Sequence, residues 1–104
     1  METKIVELTE TNFEEETVGR DGVLLFYKTI CPFCKTLEAV IEKFSKAHPE
    51  ASLFRVEFEE QKVLSDRFDV ERAPTLFVLK RGEIATKKAG LMNPKELKAL
   101  YQEA

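Results

Sequence analysis

A chain of 104 residues with 43% hydrophobic and 34% charged residues has the balance of an ordinary folded domain, large enough to bury about two-thirds of the surface its unfolded form exposes. Its net charge is -3, and the two signs are interspersed apart from Glu14-Glu15-Glu16 and Lys87-Lys88, so it carries no basic footprint for nucleic acid. No apolar run approaches the roughly 18 residues of a membrane span, and Met1-Glu2-Thr3-Lys4 leads into no secretory h-region; the expectation is a single cytoplasmic domain over residues 1–104, acting as a monomer.

Ile5-Val6-Glu7-Leu8 reads as a short strand. Thr11-Asn12-Phe13-Glu14 has the Ser/Thr-x-x-Glu form of a capping box, which predicts a helix starting near Asn12. Gly19 to Gly22 turn the chain into Val23 to Tyr27, a continuously apolar run expected of a central strand covered on both faces. From about Cys34 to Ala47, Leu37, Val40, Ile41, Phe44 and Ala47 recur at helical spacing. His48, before Pro49, is expected to be an ordinary surface residue at that helix's end. Leu53 to Phe58 alternates, with Phe54, Val56 and Phe58 on one face and Leu53, Arg55 and Glu57 on the other, so it reads as a third strand. Gln61 to Phe68 is a short helix, and Thr75 to Leu79 is a fourth strand. Arg81-Gly82-Glu83 turns it into a fifth, Ile84 to Ala89. Asn93-Pro94-Lys95-Glu96 supplies an N-cap, a proline at N1 and a glutamate at N3 for a last helix that packs Leu97, Leu100 and Tyr101 inward. The order β-α-β-α-β-α-β-β-α places parallel crossovers first and an antiparallel hairpin last, which is an α/β chain with a mixed sheet between helical layers.

Chemistry concentrates where the second strand gives way to a helix, at Cys31-Pro32-Phe33-Cys34. These are the only cysteines in the chain. As a structural staple the pair is poorly placed: closing a loop this short yields about 2 kcal/mol of chain entropy, against about 4.7 for a 100-residue loop. A structural zinc site wants about four Cys or His ligands, and His48 is the only other candidate, so no metal is expected. Redox activity is the reading that remains.

With those elements in place the chain resembles a thioredoxin over nearly its whole length. The resemblance is carried by the extra N-terminal strand and helix, Cys31-Pro32-Phe33-Cys34-Lys35 after a buried strand, Ala73-Pro74-Thr75 opening the fourth strand, Arg81-Gly82-Glu83 in the hairpin, and Gly90 before the last helix. It implies the thioredoxin fold, a mixed five-stranded sheet flanked by four helices. It also implies a cis Pro74 beside the cysteine pair, shaping a groove in which an extended substrate lies along Ala73, Pro74 and Thr75, with Pro32, Phe33 and Gly90 as further binding positions.

A thiolate attacks disulfides and a thiol does not. At a helix N-terminus the unpaired backbone N–H groups and the macrodipole favour negative charge, so Cys31 is the expected nucleophile, and Pro32 fits the first turn because it gives up an N–H with no helical partner. Cys34, one turn on, is expected to resolve the mixed disulfide. Lys35 adds positive charge nearby.

Three departures from the thioredoxin pattern are visible. The dipeptide Pro32-Phe33 replaces the usual Gly-Pro and looks like the Pro-Tyr of glutaredoxins, which predicts a weaker reductant than a typical thioredoxin. Leu25 and Arg55 stand where thioredoxins carry a buried aspartate and a lysine; Glu57, on the face of Arg55, is then the candidate partner of that cation and a candidate relocated proton acceptor, against the plainer reading of a surface ion pair. Ile30 replaces the aromatic before the first cysteine, and Ala39 replaces a helix-kinking proline, so that helix is expected to run straighter.

The function this points to is a thiol-disulfide oxidoreductase that reduces protein disulfides through Cys31 and Cys34. It needs no cofactor beyond the redox-active pair and is recharged by a thioredoxin-reductase-like donor. The alternatives are a glutathione-dependent, glutaredoxin-like reductase, disfavoured because Lys88-Ala89-Gly90-Leu91 stands where glutaredoxins have a Gly-Gly and a downstream Asp, and a non-catalytic binding module on the same fold.

Overall fold

In the computed structural model, which describes residues 5–103, the chain order is β1 (Val6–Glu7), α1 (Phe13–Thr17), β2 (Gly22–Tyr27), α2 (Pro32–Ala47), β3 (Ser52–Glu57), α3 (Lys62–Arg67), β4 (Thr75–Lys80), β5 (Glu83–Ala89) and α4 (Pro94–Glu103). The expected strands and helices are all present. The reading of Met1 to Lys4 lies outside the described residues. No helix among them is long and apolar enough to cross a membrane.

The strands form one sheet in the order β1-β3-β2-β4-β5. β1 and β2 both run parallel to β3, while β4 is antiparallel to β2 and to β5. α1 carries the chain from β1 to β2, leaving a gap that β3 fills after the crossover through α2, and the antiparallel end is the hairpin. In its turn Arg81 and Gly82 both have positive φ, 56° and 80°, the left-handed pair that matches strand twist in a two-residue connection.

Alternation along each strand builds a core on either side. Val23 and Leu25 of β2, with Leu53 of β3, meet Leu37, Ile41 and Phe44 of α2. Leu24 and Phe26, with Phe54 and Val56, meet Phe13 of α1 and Leu64 of α3 on the opposite face. Both faces of β2 are therefore covered, as its continuous apolar run predicted. Each such Leu or Phe, fully buried, contributes about 1.5–3 kcal/mol of transfer free energy.

Two local expectations fail. Residues Thr11 to Glu14 form no capping box: α1 begins at Phe13 with no side-chain cap, because the Asn12 side chain turns back into the β1–α1 loop, its Oδ1 accepting from the Thr9 N–H at 2.7 Å and its Nδ2 donating to the Glu7 carbonyl at 3.2 Å. His48 does end α2, but it is not a surface residue. Its ring stacks on Phe44 at 4.9 Å and lies 5.3 Å from Tyr101, with Nδ1 3.4 Å from Glu50, because α4 packs across the end of α2 and covers it. The expected cap of α4 does form: the Glu96 N–H donates to Asn93 Oδ1 at 2.8 Å, and the Asn93 N–H to Glu96 Oε1 at 3.4 Å.

Candidate active site

β2 ends at Tyr27, and α2 starts at Pro32, which leaves Cys31 as the N-cap residue of α2. Its backbone is extended, at φ -157° and ψ 103°, and its Sγ accepts the Cys34 N–H at 3.2 Å, the bond that a serine or aspartate oxygen makes in an ordinary N-cap. The amide that would otherwise be orphaned in the first helical turn thus points at the Cys31 sulfur. Pro32 occupies N1 and is exposed, as is Phe33. Lys35 is exposed and forms no ion pair among the described residues; its N–H donates to the Cys31 carbonyl at 3.3 Å.

Both cysteines are free thiols, with opposite surroundings. Cys31 is partly exposed, whereas Cys34 faces the sheet from α2 and is 2% exposed. Burial, with the hydrogen bond to Cys31, pushes the Cys34 thiol from its ordinary 9.0 up to about 12, against a lowering influence from the Lys28 backbone N–H. One sulfur can meet a substrate, while the other is held in reserve as a thiol.

The Ala73–Pro74 bond is cis. Because Thr75 pairs with Phe26 at the end of β2 that leads into the cysteine loop, Pro74 opens β4 at the same edge of the sheet as Cys31. The Thr75 side chain is turned inward, its hydroxyl donating to the Arg72 carbonyl at 2.7 Å and closing the loop before β4. The Pro74 carbonyl accepts the Gly90 N–H at 2.9 Å. Gly90 makes that contact at φ 90°, a conformation that a side chain would strain. Ala73 and Gly90 are half-buried. Around this edge the loops and the first turn of α2 present bare apolar side chains: Ile30 is 91% exposed, Phe33 61%, and Leu91 46%. An open cleft of about 360 Å³ lies beside the start of β4, lined by Arg72, Thr75, Lys87 and Ala89 among others.

Arg55 and Glu57 do not form the pair expected of them. Arg55 instead donates from Nε to Glu7 at 2.6 Å and from Nη1 to Glu38 at 3.3 Å, with its guanidinium 5.0 Å over the Tyr27 ring. Glu57 is buried and accepts the N–H groups of Glu59 and Glu60 at 3.3 and 2.7 Å. The turn after β3 claims its carboxylate, while β1, alongside β3, delivers Glu7 in direct register with Arg55. Leu25, opposite Arg55 on β2, is buried in the apolar cluster under α2. Reading the sequence alone overlooks Glu7 and Glu38. Glu38 carries a usable signal, since it stands at i+4 from Cys34 on a helix; Glu7 carries none before strand pairing is known.

Among the described residues no group of three or more His, Cys, Asp or Glu is placed to hold a metal ion. What the arrangement can do is exchange a thiol for a disulfide: an exposed sulfur at a helix N-terminus, a buried second sulfur one turn away, and an apolar rim around them.

The thioredoxin family model matches residues 4–103. A thioredoxin of Buchnera aphidicola subsp. Acyrthosiphon pisum is 29% identical over 103 residues, covering 96% of this chain and 95% of its own length. Thioredoxin-1 of Saccharomyces cerevisiae is 34% identical over 86 residues, covering 81% and 82%. Among solved structures, reduced desulfothioredoxin from Desulfovibrio vulgaris Hildenborough superposes with a TM-score of 0.83 at 33% identity over 100% of both chains.

Proposed function

The chain belongs to the thioredoxin family of thiol-disulfide oxidoreductases, and from that premise we propose that it reduces protein disulfides, with Cys31 as nucleophile and Cys34 as resolving thiol. The observation that carries this reading is the division of labour between the two sulfurs: Cys31 half-exposed at the N-cap of α2 with the Cys34 N–H on its Sγ, and Cys34 buried and held as a thiol. The exposed thiolate attacks a substrate disulfide, one substrate sulfur leaves, and Cys34 then displaces the other. Two electrons pass from the dithiol to the substrate, and no cofactor is needed beyond the pair itself.

Substrate docks as an extended segment along the backbone at Ala73, Pro74 and Thr75, against Ile30, Phe33 and Leu91, whose exposure supports an apolar contact surface there. Pro32 and Gly90 border the same groove, and Lys35 adds charge at its edge. Oxidised protein is recharged by a thioredoxin-reductase-like donor in a reducing compartment such as the cytoplasm, where a cysteine pair of this kind stays poised. Glutathione as the donor is the second reading, favoured by the glutaredoxin-like Pro32-Phe33 alone.

Reduction of a disulfide-bonded protein substrate, supplied with NADPH and thioredoxin reductase in one assay and with glutathione in another, tests both donors. Activity is expected with the reductase and is lost in Cys31→Ser. An intact biological effect in Cys31→Ser would replace this reading with that of a non-catalytic binding module, and turnover with glutathione alone would establish the second donor.

A further inference from the structure

Cys34 has to lose its proton before it can release a substrate, and its burial works against that loss. Buried on the sheet side of α2 at 2% exposed, the Cys34 thiol is disfavoured as an anion and its resolution step calls for a base.

Few groups are placed to act as one. Cys31 is bonded to the substrate sulfur at that moment and has no thiolate to offer. The Lys28 backbone N–H is a donor, and Lys35 is an exposed cation. Ala73 and Pro74, before β4, carry no titratable group. On β2, Leu25 is apolar, and the Tyr27 hydroxyl is bonded to both carboxylate oxygens of Glu7 at 2.9 and 3.0 Å; burial and that carboxylate push the phenol up to about 12, so it stays protonated. On β3, Arg55 is a cation and Glu57 is taken by the backbone of its own turn.

Glu38 is different. It stands one helical turn beyond Cys34, a spacing that brings Cβ atoms to about 5–6 Å, and its side chain is largely shielded, at 27% exposed. Arg55 Nη1 contacts only Oε1 of Glu38, leaving Oε2 with no hydrogen-bond partner among the described residues. Arg55 cannot swing freely, because Glu7 holds its Nε and Tyr27 lies under its guanidinium. Residues of three strands, Glu7, Tyr27 and Arg55, therefore hold one oxygen of Glu38, whose charge acts on Cys34 one turn away.

We propose that Glu38 accepts the Cys34 proton during resolution, with Arg55 as the positioning residue that orients its carboxylate. This rests on the assignment of Cys34 as the resolving thiol. In the step, the Cys34 S–H bond and the Cys31–substrate S–S bond break while the Cys31–Cys34 S–S bond forms. The substrate sulfur leaves as a thiolate with the bonding electrons, and the proton passes to Glu38, which later returns it to the departing thiolate or to water.

Pre-steady-state reduction of 5,5′-dithiobis(2-nitrobenzoate) separates the steps, since the first thionitrobenzoate released reports attack by Cys31 and the second reports resolution by Cys34. Glu38→Gln is expected to leave the first release unchanged and to slow the second by about tenfold or more at pH 7. The gap should close as pH rises towards the value at which Cys34 ionises unaided. Glu38→Asp should recover part of the rate, and Arg55→Met should fall between wild type and Glu38→Gln. A second release that is unchanged or faster in Glu38→Gln overturns the proposal, because removing a nearby negative charge without removing a base eases Cys34 ionisation. If Cys34→Ser still gives the second release, the resolving role of Cys34 is what fails instead.

Discussion

Glu57 shows how one residue's role turns on who reaches it first. On a strand it shares a face with Arg55, which invites pairing, yet the residue is 5% exposed and its carboxylate accepts the N–H groups of Glu59 and Glu60. A charge-assisted hydrogen bond of this kind contributes about 1.5–3 kcal/mol. Glu57→Gln keeps one acceptor oxygen and loses the other, so urea unfolding should show a loss of about that size. Disulfide reduction per folded molecule should stay at the wild-type level; a fall in turnover would return Glu57 to the proton path. Leu25, opposite Arg55 on β2, has no polar partner to find: the side chain belongs to the core under α2.

At the scale of elements, α2 does most to define the site. It runs as one α-helix over 16 residues with no proline after Pro32, so Ala39 leaves it uninterrupted. Its N-terminus presents the Cys34 amide to Cys31, and the two residues between the cysteines fill the first turn. Pro32-Phe33 predicts a couple less reducing than the thioredoxin value of about -270 mV, towards the roughly -200 to -230 mV of glutaredoxins. Equilibration with glutathione measures it, and a potential at or below the thioredoxin value would discard the link between this dipeptide and poise. β4 contributes the other wall through Pro74, whose carbonyl is tied to Gly90 on the far side of the hairpin.

Across the whole molecule, the groups that ionise late in the folded state link stability to alkaline pH. Burial raises Cys34 from 9.0 to about 12 and Tyr27 from 10.0 to about 12. Both are neutral acids favoured by folding, so the unfolded chain releases their protons first and stability falls as pH rises through the window between 9 and 12. Stability of the reduced protein by denaturant unfolding should decline across that window, and Cys34→Ala should flatten its lower part, since Tyr27 departs only from 10.0 upward. An equal slope in Cys34→Ala would mean that Cys34 ionises alike in both states.

Element order, the mixed sheet and the cysteine motif were legible in the chain because they depend on local spacing: period two in β3, period 3.6 in α2, turn residues at the hairpin. The cysteine pair at a strand-to-helix junction, followed by Pro74 before β4, was enough to read the chemistry. Side-chain partnerships were not legible. His48 is covered by a helix that begins 46 residues later in sequence. Asn12 answers to its loop rather than to the helix it precedes. Arg55 is paired by a residue 48 positions away, Glu7, and by Glu38 on α2. The sequence by itself determined the scaffold and put the first cysteine at the start of a helix, because capping and periodicity are set by near neighbours. Which carboxylates hold Arg55 was decided only when β1 and β3 paired and α2 packed across them, since long polar side chains take their partners from whatever the fold brings within hydrogen-bond reach.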